Sequence, residues 1–316
     1  MCTSRAKMLN VLFSAHDTLW EDYRPHLPAA FAAAGLSVNL ARDHASADVD
    51  YVIYAPHSGL RDFTGFTRTK AVLSLWAGVE SIVTNPTLTM PLARMVNPGL
   101  TQGMVDWVVG HTLRHHLGMD RHLQAQDGTW DQTVPPLATE RRVTVLGLGT
   151  LGAACATALA GLGFQVTGWS RSAKDIAGVT CRAEDRGLKT ALEGAEIVVL
   201  LLPDTAATTN VMNGETLALL APGAFIINPG RGPLIDDDAL LAALETGQVA
   251  HATLDVFRIE PLPLAHPYWA HPNVTVTPHI AAETRANTAA VEIANNIAGF
   301  EKGAPLQNLV DRASGY

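Results

Sequence analysis

The chain alternates short apolar runs, rich in β-branched residues, with longer stretches whose apolar positions follow a helical spacing. This alternation is typical of α/β folds, in which helices cover both faces of a parallel sheet and the strands carry few polar residues. The first third of the chain predicts one alanine-rich helix, Tyr23–Ala34, which Gly35 ends. Its predicted strands are Leu9–Phe13, Ser37–Leu40, Tyr51–Ile53, Val72–Leu75 and Ser81–Val83.

A second series of strands begins at Arg142, after a long helical segment from about Thr101 to Leu117 and an irregular arm, Gly118–Glu140. The last helix, Glu283–Phe300, is long enough to return to the first series. We therefore predict two Rossmann-like α/β domains, each a doubly wound parallel sheet, the first discontinuous (1–103 and 282–316) and the second continuous (104–281). The strands predicted for the second domain are Val143–Leu146, Gln165–Gly168, Ile197–Leu202, Ala224–Asn228, His251–Leu254 and Val274–Val276.

The low charge of the chain raises the question of a membrane segment. Only 16% of residues are charged, and Val143–Ser170 contains no charged residue at all. That stretch is long enough to span a bilayer, but six glycines and Gln165 interrupt it. It therefore predicts a strand, a glycine turn, a helix and a second strand. The apolar run Met8–Ala15 is short and lacks a signal-peptide cleavage site, so a first buried strand is the better interpretation.

Charge and cysteine content narrow the class of protein. A formal net charge of −8 argues against nucleic-acid or anionic-membrane binding, which both require a basic face. Three scattered cysteines, Cys2, Cys155 and Cys181, form neither a disulfide framework nor a zinc motif, so we expect a reducing, cytoplasmic setting. His111 and His115 have a spacing compatible with zinc, yet no third ligand follows at a typical distance, and no metal is predicted.

Gly147-Leu148-Gly149-Thr150-Leu151-Gly152 is a G-x-G-x-x-G motif between an apolar strand and a helix of small residues. In this context the first glycine permits a tight turn and the second lets a pyrophosphate approach the backbone. The third allows close packing of helix on strand, and the helix N-terminus offers N–H donors to phosphate. The motif predicts a dinucleotide site that comprises Gly147, Gly149, Thr150, Leu151 and Gly152.

The residues about 20 positions further on select the dinucleotide. NAD-binding chains place an acidic residue at the end of the second strand, whereas this chain has Trp169, Ser170, Arg171 and Ser172 there. An arginine between two hydroxyl groups is suited to holding a 2′-phosphate through charge-assisted hydrogen bonds. We therefore predict NADP(H) as the preferred cofactor, with NAD(H) possible.

Three polar residues each follow a predicted strand of the second domain. Arg231 lies in Asn-Pro-Gly-Arg-Gly after one strand, Glu260 comes shortly after the next, and His279 follows the last in Thr-Pro-His-Ile. Each alone has an ordinary structural explanation. Because parallel strands end at one edge of a sheet, where ligands bind in open α/β folds, together they predict a catalytic set.

The chain resembles the D-isomer-specific 2-hydroxyacid dehydrogenase family, and within it the glyoxylate/hydroxypyruvate reductase A group. The resemblance rests on GLGTLG (147–152), GWSRS (168–172), NPGRG (228–232), DVFRIEPLP (255–263) and TPHIAAET (277–284). It implies an NADPH-dependent reductase of small 2-oxo acids such as glyoxylate and hydroxypyruvate. It also implies a homodimer, a substrate-binding, flavodoxin-like domain built from both chain ends, and a central cofactor-binding domain.

The resemblance also implies roles for individual residues. Arg231 would bind the substrate carboxylate and polarise its carbonyl, His279 would be the general acid, and Glu260 would orient the His279 ring. Residues implied to contact the cofactor cleft are Leu202, Pro203, Asp255 and His279. Residues implied to bind or cover the substrate are Tyr54, Trp76, Ala77, Gly78 and Val79.

Two departures from the family pattern concern the substrate loop, which carries Trp76 where a small residue is common and Glu80 in place of the usual Asp or Asn. The identity of the 2-oxo acid is therefore open. One alternative is another 2-hydroxyacid dehydrogenase of the family with a different substrate. The other is a non-catalytic, cofactor-sensing binding protein built on the same fold.

Overall fold

The computed structural model describes residues 8–312, so Cys2 lies outside the described part of the chain. These residues divide into two compact units. The first unit comprises the described residues up to Leu100 together with those from Thr284 onward, and the second is Thr101–Glu283. The boundaries predicted from the sequence follow residues 103 and 281.

The secondary structure alternates strands and helices along both units. The strands are β1 (Leu9–Ser14), β2 (Val38–Ala41), β3 (Tyr51–Tyr54), β4 (Ala71–Ser74), β5 (Leu92–Ala93), β6 (Arg142–Leu146), β7 (Gln165–Ser170), β8 (Val179–Ala183), β9 (Ile197–Leu200), β10 (Ala224–Asn228), β11 (Val249–Leu254) and β12 (Val274–Val276). The helices are α1 (Asp17–Tyr23), α2 (Leu27–Ala33), α3 (Glu80–Val83), α4 (Pro98–His116), α5 (Met119–Gln124), α6 (Thr150–Gly161), α7 (Glu184–Leu192), α8 (Gly214–Leu217), α9 (Asp237–Glu245) and α10 (Ala286–Glu301).

The first unit is built on a parallel five-stranded sheet in the order β2-β1-β3-β4-β5. This is the flavodoxin-like order, in which the chain reverses direction across the sheet beside the first strand. Helix α10, from the far end of the chain, packs its apolar face into the core of this unit through Ala290, Ile293 and Ile297. The residues before Leu100 and after Thr284 therefore share one hydrophobic core.

The second unit is built on a parallel seven-stranded sheet in the order β12-β11-β10-β9-β6-β7-β8. The order reverses between β6 and β9, and this switch point is where dinucleotides bind in doubly wound sheets. β6 and β9 are almost entirely buried, as expected for strands covered by helices on both faces. The prediction of two parallel α/β sheets is confirmed.

Two local predictions are wrong. Ser81–Val83 is part of helix α3 instead of a strand, because the N–H groups of Ile82 and Val83 bond back to the Val79 carbonyl. Leu92–Ala93 takes the place of that strand beside β4. The predicted helix Tyr23–Ala34 begins only at Leu27, as α2. The preceding helix, α1, ends at Tyr23, and Pro25 between the two lacks the N–H that a continuous helix requires.

Strand β8 and two short elements of the arm were also absent from the prediction. Strand β8 alternates half-buried and exposed positions at the sheet edge and lacks the apolar run of the other strands. The arm Gly118–Glu140 contains the short helix α5 and, at its end, a single 3-10 turn, Ala138–Glu140. Among residues 8–312, no helix has the length and apolarity to cross a membrane. The charge-free stretch forms the end of β6, the glycine turn, α6 and β7.

Candidate active site

The glycine turn joins β6 to α6 at the switch point of the second unit. Gly147 has a φ of +105°, and a Cβ there would lie 2.5 Å from the Leu201 carbonyl oxygen. A Cβ on Gly152 would lie 1.7 Å from the Gly147 carbonyl oxygen. Both positions therefore exclude any other residue, the first for its backbone conformation as well as its close contact.

Gly149 differs from these two glycines, because nothing lies within 4 Å of the position a Cβ would take. It is the N-cap of α6, a helix of 12 residues, and no side chain caps that end. Gly149 and Thr150 are exposed, and Leu151 is half-buried. Open space in front of uncapped N–H groups fits a phosphate group, so these residues fit the pyrophosphate of a dinucleotide.

The end of β7 carries the four residues expected at the adenosine side of the cofactor. Trp169 is buried, and its indole Nε1 donates to the Glu184 carbonyl at 2.8 Å. Ser170 is also buried, and its hydroxyl donates to the Ser172 carbonyl at 2.8 Å. Arg171 and Ser172 are exposed. Trp169 and Ser170 thus shape the turn, while Arg171 and Ser172 are open to solvent.

Leu202 and Pro203 follow β9 on the other side of the switch point. Leu202 is buried, Pro203 is half-buried, and the Thr208 hydroxyl donates to the Pro203 carbonyl at 2.6 Å. The amide of Leu201 donates to the Leu146 carbonyl at 2.7 Å, which ties this segment to the end of β6. The structure therefore brings the segment of Leu202 and Pro203 next to the glycine turn.

Arg231 follows β10 in a loop whose two glycines pack closely against the backbone of neighbouring segments. A Cβ on Gly230 would lie 2.7 Å from the Leu200 carbonyl oxygen, and one on Gly232 only 2.0 Å from the Phe257 carbonyl carbon. Arg231 is half-buried, and its Nη1 donates to the Gly230 carbonyl at 2.7 Å. The two glycines therefore let the arginine lie between the end of β9 and the loop that follows β11.

Glu260 and His279 form a direct pair. Oε2 of Glu260 lies 2.7 Å from Nδ1 of His279, and Oε1 of Glu260 accepts a hydrogen bond from the Phe257 amide at 2.8 Å. The His279 side chain is 52% exposed, so its ring remains accessible although Nδ1 is engaged. An imidazole oriented by a carboxylate at one nitrogen presents the other nitrogen for proton transfer.

The environment of Glu260 favours its ionised form. Partial burial raises the pKa of Glu260, but the hydrogen bonds from His279 and from the Phe257 amide oppose this effect. The positive charges of His279 and Arg231 act in the same direction, and the net result is a pKa below the ordinary value of 4.5. Arg231, Glu260 and His279 are therefore close enough to interact electrostatically.

Asp255 holds the turn that carries His279. The carboxylate is fully buried, and Oδ1 accepts from the Thr277 hydroxyl at 2.6 Å and from the Ile280 amide at 2.9 Å. Oδ2 accepts from the Ala281 amide at 2.8 Å. His279 has a φ of +55°, an unusual conformation for a residue other than glycine. In this structure Asp255 stabilises the turn and hence the position of His279, while its contact with the cofactor stays a prediction.

Apart from Arg231, the residues predicted to bind or cover the substrate belong to the first unit. Tyr54 is buried, and its hydroxyl donates to the Leu60 carbonyl at 3.1 Å, so it is part of the core. Trp76 is half-buried, its amide donates to the Ser74 hydroxyl at 3.1 Å, and its ring makes an edge contact with His57. Ala77 and Gly78 are half-buried and Val79 is buried.

The sequence reasoning missed two residues that shape the site. Asn228 bridges its own loop, because Nδ2 donates to the Arg231 carbonyl at 3.0 Å and Oδ1 accepts from the Gly230 amide at 3.1 Å. Thr277 contacts the Asp255 carboxylate. Both lie within the motifs around Arg231 and His279, and a short polar residue at a strand end is the signal that could have found them.

The histidines considered as zinc ligands lie on α4. Nε2 of His115 lies 2.9 Å from the Thr253 hydroxyl, and burial lowers the pKa of His115 to about 3. His111 packs against the ring of Trp107. Within residues 8–312, no three His, Cys, Asp or Glu side chains are grouped so that they could hold a metal ion. The geometry is that of neutral histidines packed behind the sheet.

Comparisons with known proteins agree with this geometry. The family model for the D-isomer specific 2-hydroxyacid dehydrogenase NAD binding domain matches residues 108–281. Glyoxylate/hydroxypyruvate reductase A from Serratia proteamaculans (strain 568) is 39% identical over 311 residues, which cover 93% of this chain and 98% of that protein.

Solved structures extend the similarity to the whole fold. A D-isomer specific 2-hydroxyacid dehydrogenase from Xanthobacter autotrophicus Py2, in complex with NADPH and MES, matches with a TM-score of 0.90 and 41% identity, covering 98% of this chain and 99% of that one. An NADPH-dependent glyoxylate/hydroxypyruvate reductase from Sinorhizobium meliloti, in complex with NADP and sulfate, matches with a TM-score of 0.82 and 33% identity, covering 99% and 100%. The chain belongs to the D-isomer specific 2-hydroxyacid dehydrogenase family and is an NAD(P)-dependent oxidoreductase.

Proposed function

We propose that the chain reduces small 2-oxo acids, such as glyoxylate and hydroxypyruvate, to the corresponding 2-hydroxy acids with NADPH. The observation that carries the proposal is the pair of Glu260 and His279, 2.7 Å apart, together with the Arg231 charge that acts on Glu260. The names of the relatives from Serratia and Sinorhizobium support the choice of substrate class.

Arg231 binds the substrate in this proposal. Its planar guanidinium pairs with a carboxylate through two parallel hydrogen bonds and draws electron density from the adjacent carbonyl. The flanking glycines limit the movement of the loop, because each packs against backbone of a neighbouring segment. The arginine is therefore held in place before the substrate arrives, which reduces the entropy that binding must remove.

His279 supplies the proton. With Nδ1–H donated to Glu260, the protonated ring keeps Nε2–H for the carbonyl oxygen of the substrate. As a new C–H bond forms at the carbonyl carbon, the π electron pair of the C=O bond moves to oxygen, which takes the Nε2 proton. The neutral ring then recovers a proton from solvent, while the Glu260 carboxylate keeps its orientation throughout.

NADPH, when bound, supplies the hydride for this reduction. Gly147, Gly149, Thr150, Leu151 and Gly152 hold the pyrophosphate, since Gly149 leaves open space before the N-terminus of α6. Arg171 and Ser172, both exposed after β7, hold the 2′-phosphate, and the four residues directly after β7 include no acidic residue. The relatives with NADPH or NADP bound support this preference.

The substrate-binding role of the first unit and the homodimer are further parts of the proposal. Ala77 and Gly78 offer backbone N–H groups near Trp76, whose own amide already bonds to Ser74. For the dimer, the supporting observation is the arm that follows α4, where large apolar side chains are exposed, among them Trp130 at 87% and Val134 at 84%. Exposed apolar groups of this size on one segment are typical of an interface.

A substrate panel tests the proposal. Initial rates with glyoxylate, hydroxypyruvate, pyruvate and phenylpyruvate, each with NADPH and with NADH, should show the highest kcat/KM for one of the first two with NADPH. No turnover of any 2-oxo acid would refute the reductase assignment.

A substitution at Arg171 tests the preference for NADPH over NADH. Arg171→Ala should raise the KM for NADPH by roughly ten- to a hundredfold, the loss expected for one charge-assisted contact, and leave the KM for NADH unchanged. Lys174→Ala, which removes a neighbouring exposed positive charge, is the matched control. An equal rise in the KM for both cofactors would remove the role given to Arg171.

The proposed homodimer is tested separately, by sedimentation of the wild type and of Trp130→Ser.

A further inference from the structure

A carboxylate outside the site described above contacts the loop that carries Glu260 at two points. Asp237 is the first residue of α9 and follows Arg231 by six positions along the chain. Arg258 lies two residues before Glu260, and Tyr268 lies eight residues after it. Both reach Asp237, so a single side chain is linked to the Glu260 loop on either side of the glutamate.

The two contacts use different oxygens of Asp237. Nε of Arg258 lies 3.3 Å from Oδ2, and the hydroxyl of Tyr268 donates to Oδ1 at 2.8 Å. Nη2 of Arg258 also donates to the Ile235 carbonyl and to Oδ1 of Asn210. Tyr268 is 3% exposed, so its hydroxyl needs this partner inside the protein. We call Asp237, Arg258 and Tyr268 the clamp.

A cleft of about 140 Å³ lies beside this loop. The cleft is lined by Phe257, Leu262 and Tyr268 from the loop side and by Ile235 and Asp237 from the α9 side. Side chains that line such a cleft make fewer dispersion contacts on that side than fully enclosed side chains do. The ion pair and hydrogen bonds of the clamp therefore contribute more to holding this loop in position.

The position of the loop determines the position of the Glu260 carboxylate. Oε1 accepts from the amide of Phe257, the residue directly before Arg258, so the carboxylate is tied to backbone that the clamp holds. The other oxygen, Oε2, faces Nδ1 of His279 at 2.7 Å. A shift of this backbone therefore moves Oε2 relative to the His279 ring.

We propose that Asp237 is a positioning residue for the proton-transfer pair: through Arg258 and Tyr268 it holds the loop that aims Glu260 at His279. The proposal rests on the proposed function, in which His279 donates the proton. Asp237 contacts neither substrate nor cofactor in this scheme, and its effect passes entirely through the Glu260 loop. Because it also follows Arg231 along the chain, it connects the substrate-binding loop to the loop that orients the acid.

Asp237→Asn tests the proposal, with Asp238→Asn as the matched control. Asp238 is the next residue in the first turn of α9 and is exposed, so its substitution removes the same charge from the same helix end without touching the clamp. Asp237→Asn should lower kcat by roughly ten- to a hundredfold, the range expected when a catalytic group is displaced by about 1 Å. The KM for the 2-oxo acid should change by less than about threefold, since Arg231 is untouched.

A double-mutant cycle separates positioning from general destabilisation. In the Glu260→Gln background, Asp237→Asn should lower kcat by no more than about twofold, because the group it positions is already lost. An equal loss of kcat in both backgrounds would overturn the proposal. So would a loss shared by Asp238→Asn, because that result assigns the effect to helix charge.

Crystal structures provide a readout that does not depend on turnover. In Asp237→Asn the distance between Oε2 of Glu260 and Nδ1 of His279 should exceed the 2.7 Å of the native protein, and in Asp238→Asn it should not. An unchanged distance in Asp237→Asn would refute the clamp. If no 2-oxo acid is turned over, the proposed function fails, and this measurement still decides the proposal on Asp237.

Discussion

Nδ1 of His279 lies 2.7 Å from Oε2 of Glu260, while the backbone at His279 has a φ of +55°. Two independent constraints thus act on the same residue, one on its ring and one on its backbone. The turn is maintained by hydrogen bonds to the buried carboxylate of Asp255. The position of the ring is therefore fixed although the ring is not buried, and it remains accessible to a ligand.

Replacing His279 with alanine should lower kcat by roughly a hundred- to ten-thousandfold, the usual contribution of a general acid. NADPH affinity should stay within about twofold of the wild type, because the glycine turn is unaffected. Steady-state rates and fluorescence titration with NADPH measure the two quantities. His122→Ala, which removes an exposed histidine of α5, is the control. Near-normal kcat in His279→Ala would show that another group donates the proton.

Glu260 should make stability depend on pH in the acid range. Its pKa lies below the ordinary value of 4.5 in the folded chain, so the unfolded chain takes up the proton first as the pH falls. The stabilisation is present in full above about pH 4.5 and is lost as the pH falls through the folded pKa. The unfolding free energies of wild type and Glu260→Gln should therefore differ most near neutral pH and converge below about pH 4.5 in urea titrations. A difference that is constant with pH would contradict the assigned ionisation.

The glycine turn predicts opposite results for two similar substitutions. Gly152→Ala places a methyl group 1.7 Å from a carbonyl oxygen, so the turn must rearrange and the Tm should fall clearly. Gly149→Ala meets open space and should leave the Tm unchanged, yet it should raise the KM for NADPH because the methyl occupies the phosphate position. Thermal unfolding and cofactor kinetics distinguish these effects. Equal Tm values for both variants would contradict the described packing.

His115 should make the protein sensitive to mild acid. Burial lowers the pKa of His115 from 6.5 to about 3, so between these values the unfolded chain binds a proton that the folded residue does not. Stability should then decrease as the pH falls from about 6.5, by at most about 1.4 kcal/mol per pH unit for this group. His115→Gln should reduce that slope in urea titrations, and His122→Gln, at an exposed position on α5, should leave it unchanged. An unaltered slope in His115→Gln would assign the acid sensitivity to other groups.

The edge of the sheet that gathers Arg231, Glu260 and His279 could be predicted from the sequence, because apolar strands are easy to locate and parallel strands end together. The contact between Oε2 and Nδ1 could not, since it depends on the path of the loop that follows β11. Asp237 was missed for a related reason. Its partner Tyr268 lies 31 residues away, and no local pattern indicates that the two meet.

Strand β8 and helix α3 show a different limit. The residues of Ser81–Val83 favour a strand by type, but hydrogen bonds back to Val79 make the segment helical. β8 alternates half-buried and exposed residues because it lies at the edge of its sheet, so its sequence lacks the apolar run by which the central strands were found.

The discontinuity of the first unit has a consequence for the order in which the chain acquires its structure during synthesis. Its core includes Ala289, Ile293 and Ile297 of α10, which leave the ribosome only after the whole of Thr101–Glu283. The second unit has all of its strands available before the first unit can bury its apolar face. We therefore expect the cofactor-binding unit to fold first. Strands β1–β5 can complete their core only after α10 has been synthesised, which reverses the usual N-terminal-first order.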